Sequence, residues 1–388
     1  MDYQKKENLG DNITFTVSPK NKENRTTVVI VSPSLDPKLN VGGVSSVVSF
    51  IIKNNKNVQY IHFQQGKTDT EHGGEFVRLK RILQSYLSWK QLLKKNKKAL
   101  IHYNTSMDTK SVLRDVFFIR YAYRHHRRIV IHIHGGKYLF EENRPWLIDK
   151  ILHNIFNLKL PVIVLSNEEK MVIQKDFQCE EIHVMPNVVD LTESSRFSRE
   201  ENIKKQIDIL FIGRITEAKG LDFILNACKI IKDEGISFLL HFAGKEQGDK
   251  NYISQLTSAL GSSFRYEGVV YGKAKYELLK KCEIFLLPSF FEGLPMSLLE
   301  AMSFAEVPIV TNVGSINTVV KDKYNGLFVK VKDTPSIVEA LKLLISNQDF
   351  MKELSANARL TIFEKYNPTT YINRINDIYT KILKAQES

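Results

Sequence analysis

Short β-branched runs alternate with longer amphipathic stretches along most of the chain. In the first half the runs Thr27–Val31, Val58–Phe63, Ala99–Tyr103, Arg128–Ile133 and Val162–Leu165 predict strands. Ile207–Ile212, Ser237–Phe242, Ile284–Leu287, Val307–Val310 and Gly326–Val329 repeat the rhythm in the second. Continuous apolar strands separated by helical segments predict an α/β chain whose parallel sheets are covered on both faces. Leu191–Gln206 is polar and lacks apolar periodicity, which predicts a linker. The boundary set there gives an N-terminal domain over 1–190 and a C-terminal domain over 191–366, with 367–388 a final helix packing back toward the first. Open parallel sheets bind ligands beyond the carboxyl ends of their strands, so the chemistry is expected in a cleft between the two domains.

Composition narrows the classes. A chain of 388 residues with 43% hydrophobic residues exceeds one ordinary core and fits two domains. The polar opening and the lack of any run near about 18 apolar residues predict a cytoplasmic protein with no spanning helix. Cys179, Cys228 and Cys282 make no Cys-x-x-Cys pair and read as buried thiols. The histidine clusters lack companion ligands at metal spacing, so neither a metal nor a cofactor is expected. Of the net charge of +12, residues 1–190 hold 29 Lys+Arg against 19 Asp+Glu, or +10. That excess suits an anionic acceptor or membrane surface; without a nucleic-acid-binding motif, nucleic acid is not expected.

Two segments carry chemistry. Phe211-Ile-Gly-Arg-Ile-Thr-Glu-Ala-Lys-Gly220 leaves a predicted strand and enters a helix near Leu221. Arg214 as a planar fork and Lys219 as a point charge fit a diphosphate, although alone they read more readily as solvated charges beside a turn. Ser289 to Met302 then follows a second strand, with Glu292 in a loop, Pro295 at the first helical position and Glu300 about two turns inside the helix. The helix start directs amides at whatever lies above the sheet. A carboxylate at Glu300 accepts from both hydroxyls of a vicinal diol.

With these residues on view, the chain resembles the retaining enzymes of glycosyltransferase family 4, of GT-B fold with two Rossmann-like domains. The resemblance rests on FIGRITEAKG, on Glu292 and Glu300 with seven residues between, on EGLPMSLLEAM, on Pro186–Asp190 and on Gly42-Gly43-Val44. It implies a glycosyltransferase moving a hexose from a nucleotide-sugar donor, UDP being the commonest carrier, to a glycan or lipid-linked acceptor in cell-surface polysaccharide or glycolipid synthesis. By position it makes Arg214 and Lys219 ligands of the donor diphosphate and Glu300 the ribose ligand. Glu292 would hold the donor sugar, helped by the backbone of Gly293, Leu294, Met296, Ser297 and Leu298. His134, at a strand end before two glycines, sits where the family places a histidine near the transferred sugar. Gly43 would admit the diphosphate to the N-terminal domain, although two glycines opening a helix are as often only a turn. Val270, after a short strand, would line the base pocket.

Here Asn187 is followed by Val188 where the family often has glycine, which weakens Asn187 as a cleft residue. No Asp-x-Asp occurs, so the diphosphate charge is expected to be met by side chains and helix dipoles. Retention rests on the resemblance alone, and Glu292 is not assigned as a nucleophile. The rivals are a GT-B-type nucleotide-sugar epimerase and a non-catalytic module holding membrane or nucleic acid on the basic half. Finally, Phe76–Lys98 holds eight lysines and arginines and no acid. Its stripe Phe76, Leu79, Leu83, Tyr86, Leu87 is expected to pack on the sheet, while flanking cations, Arg78, Lys94, Lys95, Lys97 and Lys98 among them, contact an anionic membrane.

Overall fold

The computed structural model describes residues 3–4, 13–16, 26–40, 42–66, 75–141, 143–199 and 205–385. The chain divides into two compact units, residues 1–187 with 369–388 and residues 188–368.

In the first unit the elements run β1 (Tyr3–Gln4), β2 (Ile13–Thr16), β3 (Thr26–Ser32), α1 (Gly43–Asn54), β4 (Val58–Gln64), α2 (Glu75–Lys95), β5 (Leu100–Thr105), α3 (Thr109–Arg124), β6 (Ile129–Ile133), α4 (Trp146–Phe156), β7 (Val162–Val164), α5 (Asn167–Phe177) and β8 (Ile182–Val184). They form one sheet in the order β1-β2-β4-β3-β5-β6-β7-β8. From β4 to β8 the pairing is parallel, as the apolar runs predict, and Val28 to Val31 of β3 are wholly buried because helices cover both faces. The edge pair β1 and β2 is antiparallel and lies outside that expectation. On one face Trp89 of α2 is fully buried beside Phe63 and Phe118, its indole N–H donating to the Phe118 carbonyl oxygen at 3.1 Å.

The second unit runs β9 (Ile207–Ile212), α6 (Leu221–Asp233), β10 (Phe238–Ala243), α7 (Tyr252–Leu260), β11 (Phe264–Gly268), α8 (Gly272–Lys281), β12 (Ile284–Leu287), α9 (Met296–Ser303), β13 (Val307–Thr311), β14 (Leu327–Val329), α10 (Thr334–Ser346) and α11 (Gln348–Lys365). Its sheet is parallel throughout, in the order β11-β10-β9-β12-β13-β14. The order reverses at β9, so the β9/β12 junction is the switch point at which such sheets open a crevice. Of the expected linker, residues 200–204 lie outside the described residues. The rest is not a free tether: Ser194 is buried, its carbonyl oxygen takes Arg359 at 2.8 Å, and Arg199 donates to the Phe304 carbonyl oxygen at 2.8 Å. The three cysteines are buried and unbridged.

The last helix, α12 (Pro368–Lys384), returns the chain to the first unit and covers the sheet face opposite Trp89. Asn376 accepts from Asn55 at 2.8 Å, Arg374 donates to the Val184 carbonyl oxygen at 2.6 Å, and Tyr379 reaches His102 Nδ1 at 2.6 Å. Asn55 also donates to Tyr60 and Tyr60 to Tyr379, so the proton of Tyr379 points at His102 and leaves His102 Nε2–H to donate to His132 Nδ1 at 3.1 Å.

Burial holds these histidines neutral. It pushes His62 and His134 down to about 4, His102 to about 3 and His132 well below its ordinary value. In the unfolded chain each titrates near 6.5, so below that pH the unfolded state takes protons the folded state refuses. The stability contributed is complete above about pH 6.5 and is lost as pH falls toward 4, by up to about 1.4 kcal/mol per pH unit for each histidine. The thermal midpoint is therefore expected to drop between pH 6.5 and 4.5, and less steeply in His62→Gln. A midpoint constant across that range in the wild-type protein would contradict the assignment.

Candidate functional site

Three loops meet at the carboxyl ends of β9, β12 and β13. The first, Gly213–Gly220, contains a short turn of 3-10 helix at Glu217–Lys219 and enters α6 at Leu221, as expected. The second runs from Pro288 to Pro295. Pro295 is the residue before α9, in extended conformation, so α9 begins at Met296 and Glu300 lies little more than one turn in, a correction to the expected placement. A proline with ψ of 129° has not yet entered the helix, and its carbonyl already accepts from Leu299. No side chain caps α9, so the Met296, Ser297 and Leu298 amides sit at an uncapped N-terminus.

The loops are stitched to one another. The Phe290 amide donates to the Ala218 carbonyl at 2.9 Å, the Ser315 amide to that of Gly293 at 3.0 Å, and the Thr311 hydroxyl to that of Ser289 at 2.6 Å. Two glycines allow the approach. A Cβ on Gly220 would stand 2.2 Å from the Pro288 carbonyl oxygen, and one on Gly314 1.8 Å from that of Glu292. Both have positive φ, 76° and 57°, where a side chain is disfavoured in any case.

The side chains follow from this framework. Lys219 and Glu292, assigned separate roles by resemblance, are ion-paired at 2.5 Å. Glu292 is buried, and its same oxygen Oε1 accepts from the Ser289 hydroxyl at 2.7 Å. Arg214 is exposed and has no carboxylate partner among the described residues. The partner that Glu300 requires beside buried Leu299 and Ala301 is Lys275 of α8, at 2.7 Å. Burial pulls Lys275 down, yet the Glu300 carboxylate and, more weakly, Asp190 outweigh it and raise it overall. Val270 lies in the turn between β11 and α8.

Lys275 and Ser289, the side-chain partners of Glu300 and Glu292, are not singled out by the sequence. Nothing in Gly-Lys-Ala-Lys275 separates Lys275 from Lys273, and only the packing of α8 against α9 does so.

In the first unit, Gly43 opens α1, after Gly42, whose amide donates to Asn40 Oδ1 at 2.7 Å. His134 follows β6, its amide donating to the Thr105 carbonyl at 2.8 Å. Asn104 fixes its ring: the Asn104 amide nitrogen donates to the Val31 carbonyl at 2.9 Å, so Oδ1 faces His134 Nε2 at 2.7 Å and that nitrogen carries the proton. The Nδ1 lone pair is then the ring's acceptor. Burial is the main cause of the lowered pKa of His134, and the Asn187 side chain beside it partly offsets it. Asn187, discounted for lack of the following glycine, is thus a neighbour of His134. His132 is fully buried, as its deeper place on the strand implies.

Two Rossmann-like parallel-sheet units define a GT-B glycosyltransferase fold. Solved structures share it: sucrose-phosphate synthase of Thermosynechococcus elongatus, with a TM-score of 0.75 and 16% identity over 93% of this chain and 100% of that one, and Anabaena HepE in complex with UDP and glucose, with 0.70 and 14% over 92% and 100%. Residues 193–361, nearly the whole second unit, match the family model described as glycosyl transferases group 1. The chain is a glycosyltransferase carrying a group 1 domain. Among curated relatives, the UDP-Gal:alpha-D-GlcNAc-diphosphoundecaprenol alpha-1,3-galactosyltransferase of Escherichia coli is 26% identical over 322 residues, covering 78% of this chain and 80% of that protein. The N,N'-diacetylbacillosaminyl-diphospho-undecaprenol alpha-1,3-N-acetylgalactosaminyltransferase of Campylobacter jejuni is 26% identical over 217 residues, 56% of each chain.

Proposed function

We propose that this enzyme is a retaining, family 4 hexosyltransferase that moves a sugar from a UDP-sugar to a lipid-linked acceptor on the cytoplasmic side of the membrane, in cell-surface polysaccharide or glycolipid assembly. The observation that carries the reading is the convergence of Arg214, the Lys219–Glu292 pair and the Lys275–Glu300 pair at the β9/β12 switch point. The relatives named for UDP-galactose and for diphosphoundecaprenol acceptors supply the donor and acceptor classes.

In this reading bond cleavage leaves negative charge on the departing diphosphate. Arg214 meets it from solvent, and Lys219 turns to it from Glu292, which then accepts from hydroxyls of the sugar. Lys275 occupies one oxygen of Glu300 and leaves the other for the ribose diol. The uncapped start of α9 adds partial positive charge beside the site. His134 of the first unit, which the resemblance assigns to the transferred sugar, is neutral and has its tautomer fixed by Asn104, so it brings no charge of its own.

The test is a thermal-shift panel of UDP- and GDP-sugars, followed by slow release of nucleoside diphosphate in EDTA. A ligand at about 100 times its dissociation constant stabilises by roughly 2.7 kcal/mol. UDP compounds are expected to shift the wild-type protein and to fail with Glu300→Ala, and release to survive chelation. A GDP-only response overturns the donor, and loss of release restored by manganese overturns the metal-free chemistry.

A further inference from the structure

The apolar stripe of α2, expected to pack on the sheet, does not. Phe76 is 90% exposed, Leu79 65%, Leu83 59% and Leu87 50%, while the face that packs carries Ser85, Trp89, Leu92 and Leu93. Tyr86 alone of the expected stripe is tucked in, edge-on to Phe118 and Tyr121. The Arg78 side chain lies outside the described residues.

Exposed apolar side chains continue on the next two helices, with Leu113 and Phe117 on α3 and Trp146 and Leu147 on α4. Between α3 and α4 lies a groove of about 610 Å³, its walls including Leu113, Phe117 and Leu147 and its cations Arg120 and Arg124. Among the described residues no carboxylate lines it. The acids of α3 and α4 are engaged elsewhere, Asp115 by Arg114 and Tyr103, and Asp149 by Arg144.

We propose that the exposed stripe of α2 and the α3/α4 groove form one membrane-docking face, on which the protein sits against a bilayer of anionic phospholipid, with the groove taking an acyl chain and Arg120 and Arg124 its phosphate. Charge selects the occupant. Eight cations and no acid between Phe76 and Lys98, beside two groove arginines, would repel the same face of a second copy, whereas anionic headgroups neutralise them. Large apolar side chains standing in water among cations are the composition of a surface that lies in the interfacial layer. No helix among the described residues is long and apolar enough to cross a membrane, so attachment at this face is peripheral. The proposal does not rest on the donor chemistry, because none of these residues belongs to that site.

The chain contains two tryptophans, Trp89, fully buried, and Trp146, 75% exposed on the docking face. Trp146 is therefore a built-in probe. With phosphatidylglycerol vesicles its emission is expected to shift to shorter wavelength and to be quenched by brominated acyl chains, and Trp146→Phe to lose both signals. Phe117→Ser with Leu147→Ser is expected to lose the quenching, and Arg120→Gln with Arg124→Gln to lower vesicle partitioning on the order of tenfold. Both variants should keep the wild-type thermal midpoint and the stabilisation by UDP. If UDP stabilises nothing while vesicles bind, only the donor reading fails. Wild-type protein that stays in the supernatant with unchanged emission overturns the proposal. So does attachment without quenching that is fully released near 0.5 M salt, where screening reaches a few ångströms, since charge alone would then explain it. A dimer that Phe117→Ser dissociates, with no vesicle binding, assigns the face to a second copy instead.

Discussion

Arg214→Ala and Lys219→Ala are each expected to lower sugar transfer on the order of a hundredfold, the cost of about 3 kcal/mol for losing a preorganised group that meets charge in the transition state. Their other consequences separate them. Arg214 is exposed and has no carboxylate partner among the described residues, so its removal should leave the thermal midpoint near that of wild type, within the range of about 0.5 kcal/mol usual for surface changes. Lys219 is the ion partner of a buried carboxylate, and its removal leaves Glu292 with Ser289 as the remaining side-chain donor. Breaking a buried pair from one side costs more than the pair contributes, so Lys219→Ala should also lower the midpoint. Lys219→Ala with Glu292→Gln should recover stability without recovering turnover. Near-normal transfer in both single variants would sink the assignment of these cations to the leaving group.

A second large effect is expected from one methyl group. In Gly314→Ala the new Cβ would stand 1.8 Å from the Glu292 carbonyl oxygen, at a φ of 57°. Left-handed backbone costs roughly 1–2 kcal/mol with a side chain, and an overpacked contact roughly 1–3 kcal/mol more. The clash is with backbone, which no rotamer relieves. The loop holding Glu292 must move, and with it the Ser315 amide bond to Gly293 and the position of the Lys219 ammonium. A drop of several degrees in midpoint is expected together with a loss of transfer of a hundredfold or more, since displacement by about 1 Å is costly at a reacting centre. Transfer and midpoint both at wild-type values would show that the loop is softer than these contacts imply.

What the sequence made legible follows from where its signals are local. The parallel strands with four or more buried apolar residues, such as Val28–Val31 and Ile207–Ile212, stand out because burial on both faces leaves no polar alternation. β8 gives no such signal because Ile182-His-Val184 is three residues long with a histidine at its centre, and β1 and β2 give none because an edge pair carries no such run. In α2 the error has a different cause. The helix carries two stripes at helical spacing, Phe76-Leu79-Leu83-Leu87 and Ser85-Trp89-Leu92, and periodicity counts the first as stronger. Which stripe is covered depends on Phe63 and Phe118, which present a socket for one large indole. At the candidate site, Arg214, Lys219, Glu292 and Glu300 stand out in the sequence because they lie beside strand ends and helix starts. Their mutual pairing, and Lys275 and Asn104 as partners, depend on contacts between segments that no spacing encodes.

The return of α12 to the first unit has a consequence for the order in which the protein is made. All of residues 188–368 are contiguous and can assemble as soon as they leave the ribosome, whereas the first sheet waits, with Tyr60 and His102 uncovered, for a helix made only after the whole of the second unit. The N-terminal unit, first in sequence, is thus the second to be finished, and the newborn chain carries an open sheet face through the synthesis of an entire domain.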